Sequence, residues 1–281
     1  MRKRGTVMKK IGFIGAGNMG GALIQAVCAG TDPREVIITG LTLEKARALA
    51  SPLGCAVAES NIEVAREAEI VVLGVKPQVV PAVMAEIAPV LAECVRRGEP
   101  KLLVSIAAGL TTDTLRGYTP DVSLPVIRLM PNMPAAIGEG MILVASDKGG
   151  ATEEQYTELL HLLRHAGQFD RLPEKLIDAA TVPAGCAPAY AALFIEALAD
   201  GAVMAGVPRA KAYLYAAQAV KGAAAMLLER GMHPGELKDL VCSPGGSTIA
   251  GVAVLERGGL RGTVIDAVLA SCARNAELGK Q

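Results

Sequence analysis

The sequence has no tryptophan, and aromatic residues make up only 3% of its 281 positions. A core built on large rings is therefore excluded. Alanine, valine, leucine and 31 glycines must do the packing, which favours close approach of helix to helix and helix to strand. Histidine occurs three times, and the six cysteines (Cys28, Cys55, Cys94, Cys186, Cys242, Cys272) are scattered, none in a C-x-x-C pair. So few separated ligands offer no legible metal site. A disulfide framework is not expected at this size, and reduced thiols in a cytoplasmic protein are. Net charge is missing too, because 28 Lys and Arg balance 28 Asp and Glu. Neither a nucleic acid nor a membrane surface is an expected partner of such a chain.

What is present is apolar. Hydrophobic residues reach 51% with a mean hydropathy of +0.37, enough for a large core in one big domain or two ordinary ones. The start "MRKRGTVMKKIGFIGAGNMG" sets charges before an apolar run, as a signal peptide does, but glycines break the run and no cleavage pattern follows. Met8 reads as the original start, with Met1–Val7 a disordered extension. The stretch Ala187–Gly206 has the length of a membrane span. Glu196 and Asp200, four apart on one helical face, argue against that.

Along the first half, short apolar runs alternate with helical patterns. Lys10–Ile14, Val36–Thr39, Cys55–Val57, Ile70–Val75, Leu102–Ser105 and Val126–Leu129 read as strands; Asn18–Ala29, Leu43–Leu53, Ile62–Glu67 and Pro77–Val95 read as helices. Unbroken apolar runs such as "IVVLGV" suit strands covered on both faces. The alternation predicts an α/β domain with a doubly wound parallel sheet. A strand (Met141–Ala145), a charged helix (Glu153–His165) and a strand (Gly167–Leu172) close this region. After Pro173 no strand signal remains. Pro188 and Pro208 fall just inside two long helices, and Gly206 and Gly231 just past them. Each would be about 30 Å long or more, and both are apolar on nearly every face. Such helices must be buried, and a region of this size cannot bury them alone. The expected division is a dinucleotide-binding domain over residues 1–172 and an all-α substrate-binding and dimerisation domain over residues 173–281, acting as a homo-oligomer.

The first motif is Gly15-Ala16-Gly17-Asn18-Met19-Gly20, between a strand and a helix with a second strand about 20 residues on. Glycines there permit a tight turn and let a pyrophosphate approach backbone N–H groups at the helix start. At the end of the second strand, where NAD sites place an acid for the ribose 2′-OH, stand Thr39, Gly40 and Leu41. The missing carboxylate leans toward NADP over NAD, with Thr39, Thr42 and Lys45 as donors to a 2′-phosphate. "GVKPQ" (Gly74–Gln78) and "SIAAG" (Ser105–Gly109) end two further strands, where open α/β sheets bind ligands. In the helical half, "CSPGGSTIAGV" (Cys242–Val252) interrupts the helical pattern. Gly245 and Gly246 can turn successive N–H groups inward as an anion nest, and Ser247 or Thr248 opens a helix whose N-terminus favours negative charge. A proline–glycine turn with an ordinary cap is the plainer reading of the same residues.

"IGFIGAGNMG", "VKPQ", "SIAAG", R-x-M-P-N (Arg128–Asn132), "PAY…EALADGAV" (Pro188–Val203) and "SPGGSTIAGVAVLERGGLRG" (Ser243–Gly262), taken in order, resemble the pyrroline-5-carboxylate reductase family. The resemblance runs from about Lys9 to Leu278. It implies a Rossmann-type domain followed by a helical dimerisation domain, a homodimer or ring of dimers, and NAD(P)H-dependent reduction of the cyclic imine 1-pyrroline-5-carboxylate to L-proline. By matching position, Ile14, Gly15, Ala16, Gly17, Asn18 and Met19 would cradle the pyrophosphate. Asn61 would meet the adenosine end; Gly74, Val75, Lys76 and Pro77, with Ile106, Ala107 and Ala108, would line the nicotinamide half. The Ser243–Thr248 loop would hold the substrate carboxylate, and Thr248 Oγ would reach the ring nitrogen. Where the family usually has "SGSGPAY", this chain has "AGCAPAY", with Ala184, Cys186 and Ala187 replacing hydroxyls and a glycine.

No catalytic histidine is expected. A cyclic imine can enter already protonated, so orientation and exclusion of water carry the catalysis. His233 reads as a helix-start residue. A hydroxyacid dehydrogenase would need a lysine on a long helix, and the surroundings of Lys221 lack that family's glycine-spaced motif. A non-catalytic NADP-binding regulator would not need the Ser243–Thr248 loop.

Overall fold

A computed structural model describes residues 8–146 and 149–278; the expected Met1–Val7 extension lies outside the described residues. Eight strands form one sheet: β1 (Lys9–Ile14), β2 (Val36–Thr39), β3 (Ala56–Val57), β4 (Ala68–Leu73), β5 (Leu102–Ser105), β6 (Val126–Met130), β7 (Gly140–Ala145) and β8 (Gly167–Leu172), in the order β3-β2-β1-β4-β5-β6-β7-β8. β1 to β6 run parallel, β7 is antiparallel to β6, and β8 is parallel to β7. The chain runs outward from β1 to β3, then crosses back to β4 on the other side of β1.

The helices of this region are α1 (Asn18–Gly30), α2 (Leu43–Leu53), α3 (Asn61–Glu67), α4 (Val80–Arg96), α5 (Thr112–Arg116), α6 (Glu153–Leu162) and α7 (Glu174–Thr181). Alternation along the strands feeds two cores. Ile11, Phe13, Ile38, Val72, Val104 and Ile127 pack with Leu23 and Val27 of α1 and Leu159 of α6. Ile14, Val71, Leu73, Leu103 and Val126 pack with Val64 of α3, Met84 and Ile87 of α4 and Leu115 of α5. The strands are covered on both faces, which explains why their apolar runs are unbroken.

The differences from expectation are local. β4 stops at Leu73 because Gly74 and Val75 leave the ladder to turn toward β1, the Gly74 N–H donating to Ile14 O at 2.8 Å. The helix expected from Pro77 starts as a tighter turn at Pro77–Val79 and becomes regular at Val80. The charged helix ends at Leu162 and tightens over Arg164–Ala166. Two short helices, α5 and α7, were not expected: α5 has only five residues, whereas α7 is amphipathic and buries Ile177 and Thr181 one turn apart. Cys28 and Cys55, far apart in sequence, come together in the fold; the neighbouring Cys55 thiol, ahead of burial, pushes the Cys28 pKa up, and the Cys28 thiol lowers that of Cys55. Buried Lys101 donates to the carbonyls of Ala65, Arg66 and Ala68 at 3.0, 2.9 and 2.6 Å and so closes the end of α3; burial lowers its pKa.

The described residues fall into two compact units. One comprises those up to Cys186 together with those from Cys272 onward, and the other is Ala187–Ser271. The first unit therefore includes α7 and a wide helical turn, Val182–Cys186. The second holds α8 (Ala187–Met204), α9 (Arg209–Arg230), α10 (Pro234–Val241), α11 (Ser247–Arg257) and most of α12 (Leu260–Leu278). α8 and α9 meet through small side chains: Ala199, Ala212 and Ala216 are buried, with Ile195 and Val203 beside them. The large side chains are not covered. Leu193 is 67% exposed, Leu214 64% and Leu228 82%. The burial these helices require is thus unmet within one chain. Pro77–Arg96 and Glu174–Met204 are long and apolar enough to cross a bilayer by length and composition alone; in the first, α4 lays its apolar face on the sheet.

Candidate functional site

Register brings four loops to one edge. Ile14 pairs with Thr39 on one side and Leu73 on the other, Leu73 pairs with Ser105, and Ser105 pairs with Arg128. The carboxyl ends of β2, β1, β4 and β5 are therefore level, β6 runs two residues further to Met130, and the strand order reverses between β1 and β4. That is where open α/β sheets form a ligand crevice.

At the end of β1, Gly15 takes a left-handed φ of 109°. A β-carbon there would lie 2.6 Å from the carbonyl carbon of Gly74, and one on Gly20 would lie 2.2 Å from the carbonyl oxygen of Gly15. Backbone bonds staple the loops together: Gly15 N–H to Thr39 O at 3.0 Å, and Ile106 N–H to Leu73 O at 3.2 Å. On the other side of the turn, a β-carbon on Gly17 would meet nothing within 4 Å. Gly17 is also the N-cap of α1, and no side chain caps that helix. The close-packed glycines and the uncovered helix start fit a dinucleotide pyrophosphate, which needs backbone approach on one side and free N–H donors on the other.

The expected residues fall as follows. Ile14 and Gly15 are buried, Ala16 and Met19 half-buried, and Gly17 and Asn18 exposed. Thr39 is only 3% exposed and ends the ladder beneath the Gly15 turn, where its carbonyl accepts the Gly15 N–H. Thr42 and Lys45 are exposed, with Thr42 Oγ1 accepting the Lys45 N–H as the cap of α2. Asn61 opens α3, and its amide donates to Glu86 Oε2 at 2.8 Å, fixing it against α4. Gly74, Val75, Pro77 and Ile106 are half-buried, Lys76 and Ala108 exposed, and Ala107 buried. Ser105 Oγ accepts the Ala107 N–H at 3.2 Å.

In the second unit, Ser243–Gly246 forms a turn closed by Gly246 N–H to Ser243 O at 3.0 Å, with Gly245 at φ 67°. Proline followed by a left-handed glycine is the type II pattern. This modifies the nest expected from the sequence, since the Gly246 N–H is spent inside the turn. Gly246 caps α11 with no side-chain cap hydrogen bond, so the first-turn N–H groups from Ser247 onward have no side-chain acceptor. Ser243, Gly245, Ser247 and Thr248 are exposed, and Gly246 is half-buried. His233 caps α10, its Nδ1 accepting the Gly235 N–H at 3.1 Å, as its reading as a helix-start residue requires. Among the described residues no group of three His, Cys, Asp or Glu is placed to hold a metal ion.

Sequence reasoning missed a charged cluster on β6. Arg128 is 1% exposed; its Nη2 donates to Asp178 Oδ1 at 2.5 Å and its Nη1 lies 3.7 Å from Glu174 Oε1. Its Nε is buried without a partner, a cost of about 1–3 kcal/mol that the fold accepts to keep the guanidinium there. Asn132 donates to Ala184 O at 2.8 Å, inside the wide helical turn, and accepts the Met141 N–H at 2.9 Å. The signal was available, for a cation inside the apolar strand "VIRLM" must find buried acids. The spacing to Glu174 and Asp178 could not be read from one sequence.

A mostly parallel sheet with this glycine turn at its switch point defines the class: a Rossmann-type dinucleotide-binding protein with an appended helical unit. A family model described as pyrroline-5-carboxylate reductase dimerisation matches residues 174–278, and one described as NADP oxidoreductase, coenzyme F420-dependent, matches residues 10–109. The chain belongs to the pyrroline-5-carboxylate reductase family. It is 42% identical over 275 residues to the Escherichia coli K12 enzyme, covering 97% of this chain and 99% of that one. With the Glycine max enzyme it shares 44% over 270 residues, 95% of each. Among solved structures, the Coxiella burnetii pyrroline-5-carboxylate reductase aligns with a TM-score of 0.87 at 31% identity over 96% of this chain and 98% of that one. Pyrroline carboxylate reductase of Plasmodium falciparum, with NADP bound, aligns at 0.83 and 30% identity over 98% and 100%.

Proposed function

We propose that the two loop systems divide the work of one reaction, the NADPH-dependent reduction of 1-pyrroline-5-carboxylate to L-proline. Residues 1–172 form the dinucleotide-binding domain and residues 173–281 the helical substrate and dimerisation domain. Bound at the sheet edge, the dinucleotide supplies a hydride to the imine carbon. Ile14–Met19 hold its pyrophosphate, Thr42 and Lys45 face the 2′-phosphate, and Gly74–Pro77 with Ile106–Ala108 line the nicotinamide half. The first-turn N–H groups of α11 hold the substrate carboxylate, and Thr248 Oγ reaches the ring nitrogen. Once the imine is protonated, no strong acid is needed, and the chain's task is to orient and desolvate the iminium.

The observation that carries this reading is the uncapped start of α11 behind the left-handed Gly245 turn. An open helix N-terminus with hydroxyls at its first two positions suits a small carboxylate. Thr248→Ala should therefore lower kcat/KM for the imine by about 1–3 kcal/mol, on the order of 5- to 150-fold, and leave the NADPH dissociation constant unchanged. Full activity in that variant would leave the hydroxyl no role in the reaction.

The enzyme is expected to use NADPH with a higher kcat/KM than NADH, because no carboxylate follows β2 to accept the ribose 2′-OH. Initial rates with both cofactors check this, and a clear preference for NADH would refute it. The working unit is a homodimer or a ring of dimers in the cytoplasm. Each exposed leucine of α8 and α9 forgoes about 1.5–3 kcal/mol of burial until covered. An apolar groove lined by Val252, Leu255, Leu260, Val264 and Ile265 adds to that surface. Sedimentation at micromolar concentration should give at least a dimer; a stable, active monomer would contradict the burial argument.

A further inference from the structure

Ser105 and Arg128 are register partners on neighbouring parallel strands, so their side chains stand side by side on one face of the sheet. Ser105 begins the loop that runs through Ile106–Ala108 to α5. At its start the loop is fixed by Ser105 Oγ on the Ala107 N–H and by the Ile106 N–H on Leu73 O. At its end it is fixed by one carboxylate. Glu174 accepts the Thr112 N–H through Oε1 and the Thr112 hydroxyl through Oε2, both at 2.8 Å. Between these anchors Ala108 and Gly109 are exposed, and Gly109 takes a left-handed φ of 77°. Ala107 is 2% exposed and packs into the core, so the loop is held by its ends and by this one buried side chain.

Glu174 is 6% exposed, and the cation beside it is Arg128, itself 1% exposed. The guanidinium is shared with Asp178, one helical turn further along α7. α5 is only five residues long and buries just Thr112 and Leu115. The grip on Thr112 is therefore a buried polar tie between this loop and α7.

We propose that Glu174 and Arg128 are positioning residues for hydride transfer: Arg128 orients the Glu174 carboxylate, which grips Thr112 and sets where Ile106–Ala108 stand. The assignment rests on the reading that Ile106–Ala108 line the nicotinamide half, and it goes beyond that reading by naming what fixes the lining. The dinucleotide's pyrophosphate end is held by other loops, so the loss of this grip misplaces the reacting ring without releasing the cofactor.

The test uses the full-length enzyme with Thr112→Val, Thr112→Ser, Glu174→Gln and Arg128→Lys. NADPH dissociation constants, kcat, KM for the imine and the kinetic isotope effect with NADPH deuterated at the transferred position are measured, together with thermal midpoints. Thr112→Val, which removes only the hydroxyl grip, should keep the NADPH dissociation constant within about threefold. It should lower kcat by about tenfold or more, as an ångström-scale misplacement does, and raise the isotope effect on kcat. Thr112→Ser should restore kcat. Glu174→Gln and Arg128→Lys should follow Thr112→Val, and adding Thr112→Val to Glu174→Gln should cost nothing further. Unchanged kcat in folded Thr112→Val overturns the proposal, as does a kcat loss that Thr112→Ser fails to rescue. Unchanged kcat in folded Arg128→Lys overturns the part assigned to Arg128. Should Glu174→Gln or Arg128→Lys fail to fold, the two Thr112 variants decide alone. Ala108→Leu tests the underlying reading separately: if kcat and NADPH affinity both survive it, Ile106–Ala108 do not line the nicotinamide, whatever the Thr112 variants do.

Discussion

Gly246→Val should cost on the order of 3 kcal/mol in kcat/KM for pyrroline-5-carboxylate, about 150-fold, with NADPH binding intact. Gly246 closes the turn through its own N–H and caps α11 without a side chain. A β-carbon there would lie 2.4 Å from Ser243 Oγ and 3.1 Å from the Ser243 carbonyl oxygen. The hydroxyl can rotate away, but the carbonyl is part of the turn and cannot. The two γ-carbons of valine would then stand at the helix start and screen the N–H groups that meet the carboxylate. Several charge-assisted hydrogen bonds are weakened together, so the loss should exceed that of Thr248→Ala. The dinucleotide loops belong to the other compact unit, and the NADPH dissociation constant of Gly246→Val is the control. If this variant folds and keeps full activity, the loop is only a turn and the substrate is held elsewhere.

Gly20→Ala should reduce NADPH affinity by about 100-fold or more, close to 3 kcal/mol. The added carbon would sit 2.2 Å from the Gly15 carbonyl oxygen, a backbone atom that no rotamer change can move. Gly15 is itself packed against Gly74, so relief displaces the turn after β1 and the loop after β4 together. Overpacking of this kind also costs about 1–3 kcal/mol of stability, and the thermal midpoint should fall. Gly17→Ala separates the two effects. Nothing lies within 4 Å of its β-carbon and its φ is −74°, so the fold should be unaffected. Affinity should still drop, because the methyl group occupies the side from which the pyrophosphate approaches. Isothermal titration with NADPH and a thermal melt of each variant are the measurements. A Gly17→Ala enzyme with unchanged affinity would move the pyrophosphate away from this turn.

The parts of this molecule legible in the sequence are those where one local rule dominates. β2, β5, α2 and β8 stand where the apolar runs and turn residues put them, because strands covered on both faces and prolines or glycines at boundaries leave little choice. The glycine turn after β1 was legible for the same reason. What was hidden depends on pairing across distance. Arg128 announces a buried charge, yet its acids lie on α7, and only the fold joins them to Thr112. That Thr39 ends a buried ladder beneath the Gly15 turn is likewise set by register. Gly246 looked like half of a nest, but its N–H is taken by a turn whose closure depends on the conformation of Gly245. Cys28 and Cys55 stand 27 positions apart, and no spacing rule unites them. α5 is too short for any periodicity to register.

Whether the Ser243–Thr248 loop holds the carboxylate is measured most directly by comparing 1-pyrroline-5-carboxylate with 1-pyrroline, the same imine without the carboxylate. NADPH consumption gives kcat/KM for both substrates in the native enzyme and in Gly246→Val. The native enzyme should show a strong preference for the carboxylate-bearing imine that collapses toward unity in Gly246→Val, with activity on 1-pyrroline unchanged between the two. Equal losses on both substrates, or a preference that survives the substitution, would contradict that role of the loop.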